Sequence, residues 1–300
     1  MLDLPTSSSQ QPNMPGLTTG VIASPAPTLK YDGLRKFTNT LKAHLSEGTN
    51  ILEFSEVTKD DFSVLSSSKA RPFKSVKYAY NSLLRTLTCR LPKTPHVDVT
   101  GQFRRLIERQ LMLMGVDREV ANQSSPLTQI GCWTKEPDTC WIPRDTDTPS
   151  VVLETGASET AAHLAYSARG WLETPGSTVL ACITIEIGQG NELNIDVWRQ
   201  GLRRHGMVTR YRNVPAVQQQ HITIKDDPAG PQIEGWKLDD DLGVVNTTEL
   251  LFDFSMFTKR PPENDLEHDI VLKYDILNQL GATFFHNQHR RALTLNSPET

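Results

Sequence analysis

The chain has 300 residues, 31 Lys and Arg against 35 Asp and Glu, a net charge of −4 and 37% hydrophobic residues. That length supports a full core in one large or two small domains, and the charge excludes a uniformly basic nucleic-acid binder but not a local basic face. No apolar run reaches the roughly 18 residues of a membrane helix, and the N-terminus lacks a signal-peptide layout, so a soluble intracellular protein, cytoplasmic or nuclear, is expected.

Residues 1–29 are rich in Ser, Thr, Pro, Gly and Gln and read as a disordered leader. A helical and irregular extension follows over 30–95. Leu34, Phe37, Leu41 and Leu45 recur at helical spacing, which predicts a helix over 31–46, and Tyr78, Leu83, Leu84 and Leu87 suggest a short second element. A firmer helix is predicted over 99–114, with Phe103, Leu106, Ile107, Leu111 and Met114 on one face and Gly115 as C-cap. The pattern then switches to a period near 2. Residues 129–142 and 150–155 read as extended, separated by Pro143 and the polar run 144–149.

A helix over 159–173 follows, with Ser158 as N-cap, Glu159 in its first turn and Pro175-Gly176 ending it. The run VLACITIEI (179–187) is apolar on both faces and reads as a central, covered strand. NELNIDVW (191–198) pairs with it across a Gly188–Gly190 turn, with further strands at 221–224 and 249–254 and a last helix over 274–285. The expected fold is α/β, a mixed central sheet flanked by helices, with the core over 96–285 and a C-terminal tail over 286–300.

Four cysteines show no zinc spacing; Cys132 and Cys140 are either a disulfide or two reduced thiols. His286 and His289 lack a third metal donor nearby in sequence. Between Lys69 and Arg109 there are ten basic residues against Asp98 and Glu108. Arg199, Arg203, Arg204, Arg210 and Arg212 form a second basic cluster, while from Asn213 onward acids outnumber bases fourteen to seven. The segments 69–109 and 199–212 are either faces for a phosphate backbone or ordinary solvated surface. No membrane partner is expected, and nothing in the pattern fixes the oligomeric state.

The chemistry-bearing pattern is Pro137-Asp138 on one strand and Glu154-Thr155-Gly156 on the next. Two carboxylates on adjacent hairpin strands can converge on a divalent ion, and magnesium there would take Asp138, Glu154 and the carbonyl of Thr155. Such an ion would lower the pKa of its bound water and neutralise charge as a phosphodiester breaks. Each residue also has a plainer role: Asp138 as a turn residue after proline, Glu154 in an ion pair with Arg169, Arg169 as a solvated helix residue.

The segments KEPDTCWIP (135–143), TPSVVLETGASET (148–160), AHLAYSARGWLE (162–173), VLACITIEI (179–187) and ELNIDVW (192–198), with KRPP (259–262) and DIVLKYDILNQL (269–280), give the chain a resemblance over about 90–285. It resembles the PD-(D/E)xK, or restriction-endonuclease-like, superfamily, and most of all fungal proteins related to the bacterial "putative restriction endonuclease" family. The resemblance implies a magnesium-dependent nuclease or a descendant of one, with Asp138 and Glu154 as the acidic pair. The family's lysine two positions after the second acid is replaced by Gly156, and related bacterial proteins carry a basic residue on the following helix, where Arg169 stands. Fungal relatives often carry His-Glu where this chain has His96-Val97. Loss of the lysine and the upstream acid favours the alternative, a catalytically silent nuclease fold used as a nucleic-acid or protein binding module. A third reading is a purely structural protein.

Overall fold

The computed structural model describes residues 28–47, 51–67, 71–91, 94–156, 161–188, 191–201, 214–239, 241 and 243–295. Its first part comprises β1 (Thr28–Lys30), α1 (Leu34–Ser46), β2 (Ile51–Ser55), α2 (Lys59–Ser66), β3 (Lys77–Asn81) and β4 (Thr86–Arg90). The long helix α3 (Thr94–Leu113) leads to β5 (Val120–Gln123), β6 (Thr128–Ile130), β7 (Trp133–Lys135), β8 (Thr139–Pro143) and β9 (Val151–Gly156). Then come α4 (Ala161–Leu172), β10 (Ala181–Ile187), β11 (Glu192–Gln200), β12 (Ala216–Lys225), β13 (Gln232–Leu238) and β14 (Val244–Asn246). The chain finishes with β15 (Leu250–Phe252), α5 (Phe254–Thr258), β16 (Ile270–Leu272) and α6 (Tyr274–Leu295).

The strands form two main sheets. One has the order β1-β2-β4-β3-β7-β6; the other, of eight strands, runs β14-β13-β12-β11-β10-β9-β8-β5. In the larger sheet β9 and β10 are parallel and every other neighbour is antiparallel. A parallel pair needs a crossover, and α4 supplies it. The expected mixed α/β architecture is therefore present, with helix, hairpin, helix, strand and strand realised as α3, β8–β9, α4, β10 and β11.

Helices cover both faces of that sheet. Alternate residues Val151, Leu153, Ile183, Ile185, Ile195, Val197 and Ile222 pack with Phe103 and Ile107 of α3 and Leu277 and Phe284 of α6. On the opposite face Val152 and Cys182 pack with Ala168, Trp171 and Leu172 of α4. β10 is buried through Ile185 as the covered-strand pattern implied. The smaller sheet has its own core, with Phe37, Leu52, Phe54, Tyr78, Tyr80 and Leu87 buried beneath α1 and α2.

Several elements differ from the sequence expectation. The segment around 78–87 is a hairpin: Tyr78, Tyr80, Leu87 and Cys89 are buried at alternate positions, while Leu83 and Leu84 stand exposed at its tip. β13 went unread because its exposed face and central Gly235 blur the alternation. α6 runs ten residues past the expected end. The leader reading falls largely outside the described residues, as do the Ser158 cap, Glu159 and Arg203, Arg204, Arg210 and Arg212; Thr28 and Leu29, assigned to the leader, belong to β1. All four cysteines are free thiols. No helix among the described residues is long and apolar enough to cross a membrane.

Candidate functional site

The two sheets meet where the chain passes from β7 to β8 through Glu136, Pro137 and Asp138. Here the amide of Glu136 donates to Tyr78 O at 3.0 Å in the smaller sheet, and that of Asp138 donates to Leu153 O at 3.1 Å in the larger. Three buried acids, Glu136, Asp138 and Glu154, line the crossing. Lys77 opens β3 and Arg90 closes β4, and they are direct cross-strand partners, so their side chains leave the same face of the hairpin. Both point into the crossing.

Asp138 is fully occupied. Its Oδ1 accepts from Arg90 Nη2 at 3.0 Å and from Lys77 Nζ, and its Oδ2 accepts from the Thr155 amide at 2.7 Å. His96 Nε2, in the first turn of α3, lies 2.9 Å from Oδ2 without the alignment of a hydrogen bond. Glu154 accepts from the same Arg90 Nη2 at 2.6 Å through Oε2, and from Trp171 Nε1 at 2.6 Å and Ser167 Oγ at 3.1 Å through Oε1. Arg90 Nη1 also donates to the carbonyl of Thr155 at 3.4 Å. Beside this group Arg71 grips Glu136 with a two-pronged contact at 2.6 and 2.7 Å, and Glu136 accepts the Tyr78 amide at 2.8 Å.

The electrostatics follow from burial and partners. Burial alone drives the Asp138 carboxyl toward protonation, but Arg90, His96 and Lys77 together hold its pKa well below the usual carboxylate range. Glu154 is likewise raised by burial and then brought below its ordinary value by Arg90, against the repulsion of Asp138 and with help from Lys135 and the Trp171 hydrogen bond. Lys135 ends β7 with its ammonium buried, 4.6 Å from the centre of the Trp171 ring and donating to Ser167 O and Oγ at 3.1 Å. Burial lowers its pKa to about 8, only partly opposed by Glu154. His163 on α4 is lowered to about 4 by burial, with Arg90 and Lys135 adding to the effect.

The three expected metal ligands, Asp138, Glu154 and the Thr155 carbonyl, do converge. What they converge on is the Arg90 guanidinium. That donor set does not fit a divalent ion with Arg90 in place, because each acceptor already faces the arginine while Lys77 and Lys135 add positive charge. Among the described residues no group of three or more His, Cys, Asp or Glu is placed to hold a metal. Arg169, expected to hold phosphate or to pair with Glu154, instead grips Glu173 one turn along α4 at 2.7 and 3.2 Å. His96 beside Asp138 and Trp171 bonded to Glu154 both touch the acidic pair, although neither was expected there.

Arg71, Lys77 and Arg90 belong to the segment read as a basic face, yet they serve internal acids. The signal that could have found them is a general one, that buried acids demand partners. Lys69 and Lys93 lie outside the described residues; Lys74, Arg85, Arg105 and Arg109 are exposed. In the second basic cluster Arg199 pairs with Asp253 at 3.0 Å.

No family model and no curated protein matches the chain. Among solved structures, it resembles a crystal structure from Anabaena variabilis ATCC 29413 titled a "putative nuclease belonging to DUF820". The TM-score is 0.40 at 10% identity, over 75% of this chain and 99% of that one. A likeness that low transfers no residue role.

Proposed function

We propose that this chain is a nuclease-like fold of the restriction-endonuclease kind whose acidic pair is neutralised by an internal arginine, and that it works as a binding module rather than a hydrolase. The observation that carries this reading is the set of bonds from Arg90 to Asp138, Glu154 and the Thr155 carbonyl. The order of elements around the pair supports the class: Glu154 lies on β9 of the hairpin between α3 and α4, and Asp138, expected on a strand, stands in the connection just before β8.

Metal-assisted phosphodiester cleavage needs carboxylate oxygens with room for a cation, a water and a phosphate oxygen. Here the side chains of Asp138 and Glu154 are 0% and 2% exposed, and their oxygens face protein donors. Lys135 has the lowered pKa of a base, but its amine points at Ser167 and a tryptophan ring. Diversion of Arg71, Lys77 and Arg90 to the interior leaves fewer cations for a phosphate backbone and favours a protein partner.

The test is calorimetric titration of the full chain with magnesium and manganese, alongside a cleavage assay on labelled DNA and RNA. Neither saturable heat nor metal-dependent cleavage is expected. Cleavage that disappears in an Asp138→Ala/Glu154→Ala variant would establish a hydrolase and sink the reading.

A further inference from the structure

The larger sheet ends at β14, whose residues are all exposed, with Val244 at 57% and Val245 at 38%. It pairs with β13 alone; no strand among the described residues pairs with its other side. Natural edges are commonly blunted by lysine, proline or a bulge, and Val-Val-Asn carries none of the first two. The strand register continues inward as a single row, Asp196 opposite His221, His221 opposite Trp236 and Trp236 opposite Asn246, so these side chains share one face. A trough of about 650 Å³ lies along this row, with Thr223, Glu234, Thr247 and Thr248 also lining it.

The floor of the trough is fixed. His221 Nδ1 lies 2.6 Å from Asp196 Oδ1, its Nε2 lies 2.9 Å from Thr223 Oγ1, and Thr223 donates to Asn194 at 2.8 Å. Trp236 leans over His221 with ring centres 6.1 Å apart and planes at 30°. From Glu234 to Glu249 the sequence has five acids, Glu234, Asp239, Asp240, Asp241 and Glu249, against the single Lys237; Lys225 on the neighbouring strand pairs with Glu234, so acids still outnumber bases five to two. An open strand edge, an indole beside it and a negative border complement one kind of partner. The phosphate of a nucleic acid would meet repulsion here.

We propose that the β14 edge takes up an extended peptide bearing lysine or arginine, which adds as a further strand and lays one cationic side chain into the trough over Trp236. Main-chain pairing at Val244–Asn246 would supply most of the affinity, and the cation over the indole the selectivity. This inference rests on the chain being a binding module and names the partner class. It does not depend on the inertness of the Arg90 cluster, so an edge that binds nothing while the cluster stays inert to metal would overturn the edge alone.

The experiment is fluorescence anisotropy on the full chain with labelled octapeptides. A peptide of alternating lysine and valine should bind saturably. The same peptide N-methylated at alternate residues, which keeps its charge but cannot pair, should not bind, nor should one of alternating glutamate and valine. Trp236→Ala should weaken binding about tenfold, the scale of a desolvated cation–aromatic contact. Equal binding of the N-methylated peptide would show mere charge adsorption, and failure of the lysine peptide to bind would remove the site. Displacement by single-stranded DNA, or a concentration-dependent dimer abolished by Val245→Lys, would assign the edge to another occupant and overturn the proposal.

Discussion

Arg90 is the residue on which the buried charges turn. Its guanidinium is planar and forked, which is why one side chain can meet two carboxylates and a carbonyl at once. Arg90→Ala would leave Asp138 and Glu154 in the interior without it, and breaking a buried pair from one side costs about 3–5 kcal/mol. Arg90→Lys should recover only part of that, since a point charge cannot reach all three acceptors. Urea unfolding of the two variants against the parent checks both the size and the order. Asp138 and Glu154 are depressed, so their contribution is present above the ordinary carboxylate range and is lost as pH falls through their folded values. His163 titrates near 4 when folded but near 6.5 when unfolded, so the unfolded chain takes up more protons between those values. Stability should therefore decline as pH drops from about 6.5, and more steeply below about 4, in a series of unfolding midpoints. Lys135 adds the opposite end of the profile. Between about 8 and 10.5 the unfolded chain holds the extra proton, so Lys135 contributes a rise in stability with pH that Lys135→Met should abolish.

At the scale of elements, the β3–β4 hairpin decides whether Lys77 and Arg90 reach their targets. Its turn is set by buried Asn81, whose Oδ1 accepts the amides of Leu83 and Leu84 at 3.0 Å. Asn81→Ala should cost about 1–2 kcal/mol through the loss of those bonds, measurable as a lowered denaturation midpoint. The hairpin also shows where sequence reading stops. α3 was legible because Phe103, Ile107 and Leu111 repeat at 3.6 residues and are all buried, and β10 because its apolar run is covered on both faces. Around 78–87 the leucines at the tip suggested a single short element, and only the tertiary fold shows that Leu83 and Leu84 face solvent. Gly235 hid β13 for a physical reason: a Cβ there would run into the carbonyl of His221, so close strand approach required the residue that reads as a strand breaker. Asp138 and Glu154 were legible because Pro137-Asp138 and the charge inside VVLET stand out locally; Glu136, the third buried acid, was not read. Arg90 was not, because it lies 48 residues from Asp138 and 64 from Glu154, and no local pattern records a contact made that far along the chain.

Across the whole molecule, the two sheets are stapled by Lys77 to Asp138 and by Arg90 to Asp138 and Glu154. They are also joined through the backbone, because β7 pairs with β3 in the smaller sheet while the next strand, β8, pairs with β9 in the larger. Unfolding of one sheet should therefore expose charges that the other cannot leave unpaired, and a single cooperative transition is expected by calorimetry. A Lys77→Met/Arg90→Met double variant removes both staple residues and should split that transition in two, with the smaller sheet melting first because its core is the smaller. A parent that already melts in two steps would show the staples to be weak.

The Arg90 cluster has one more consequence. Its positive charge is encoded in the polypeptide, made at translation and fixed in stoichiometry with the acids it faces. On the proposed reading, chelators and added magnesium should leave the unfolding midpoint of this protein unchanged.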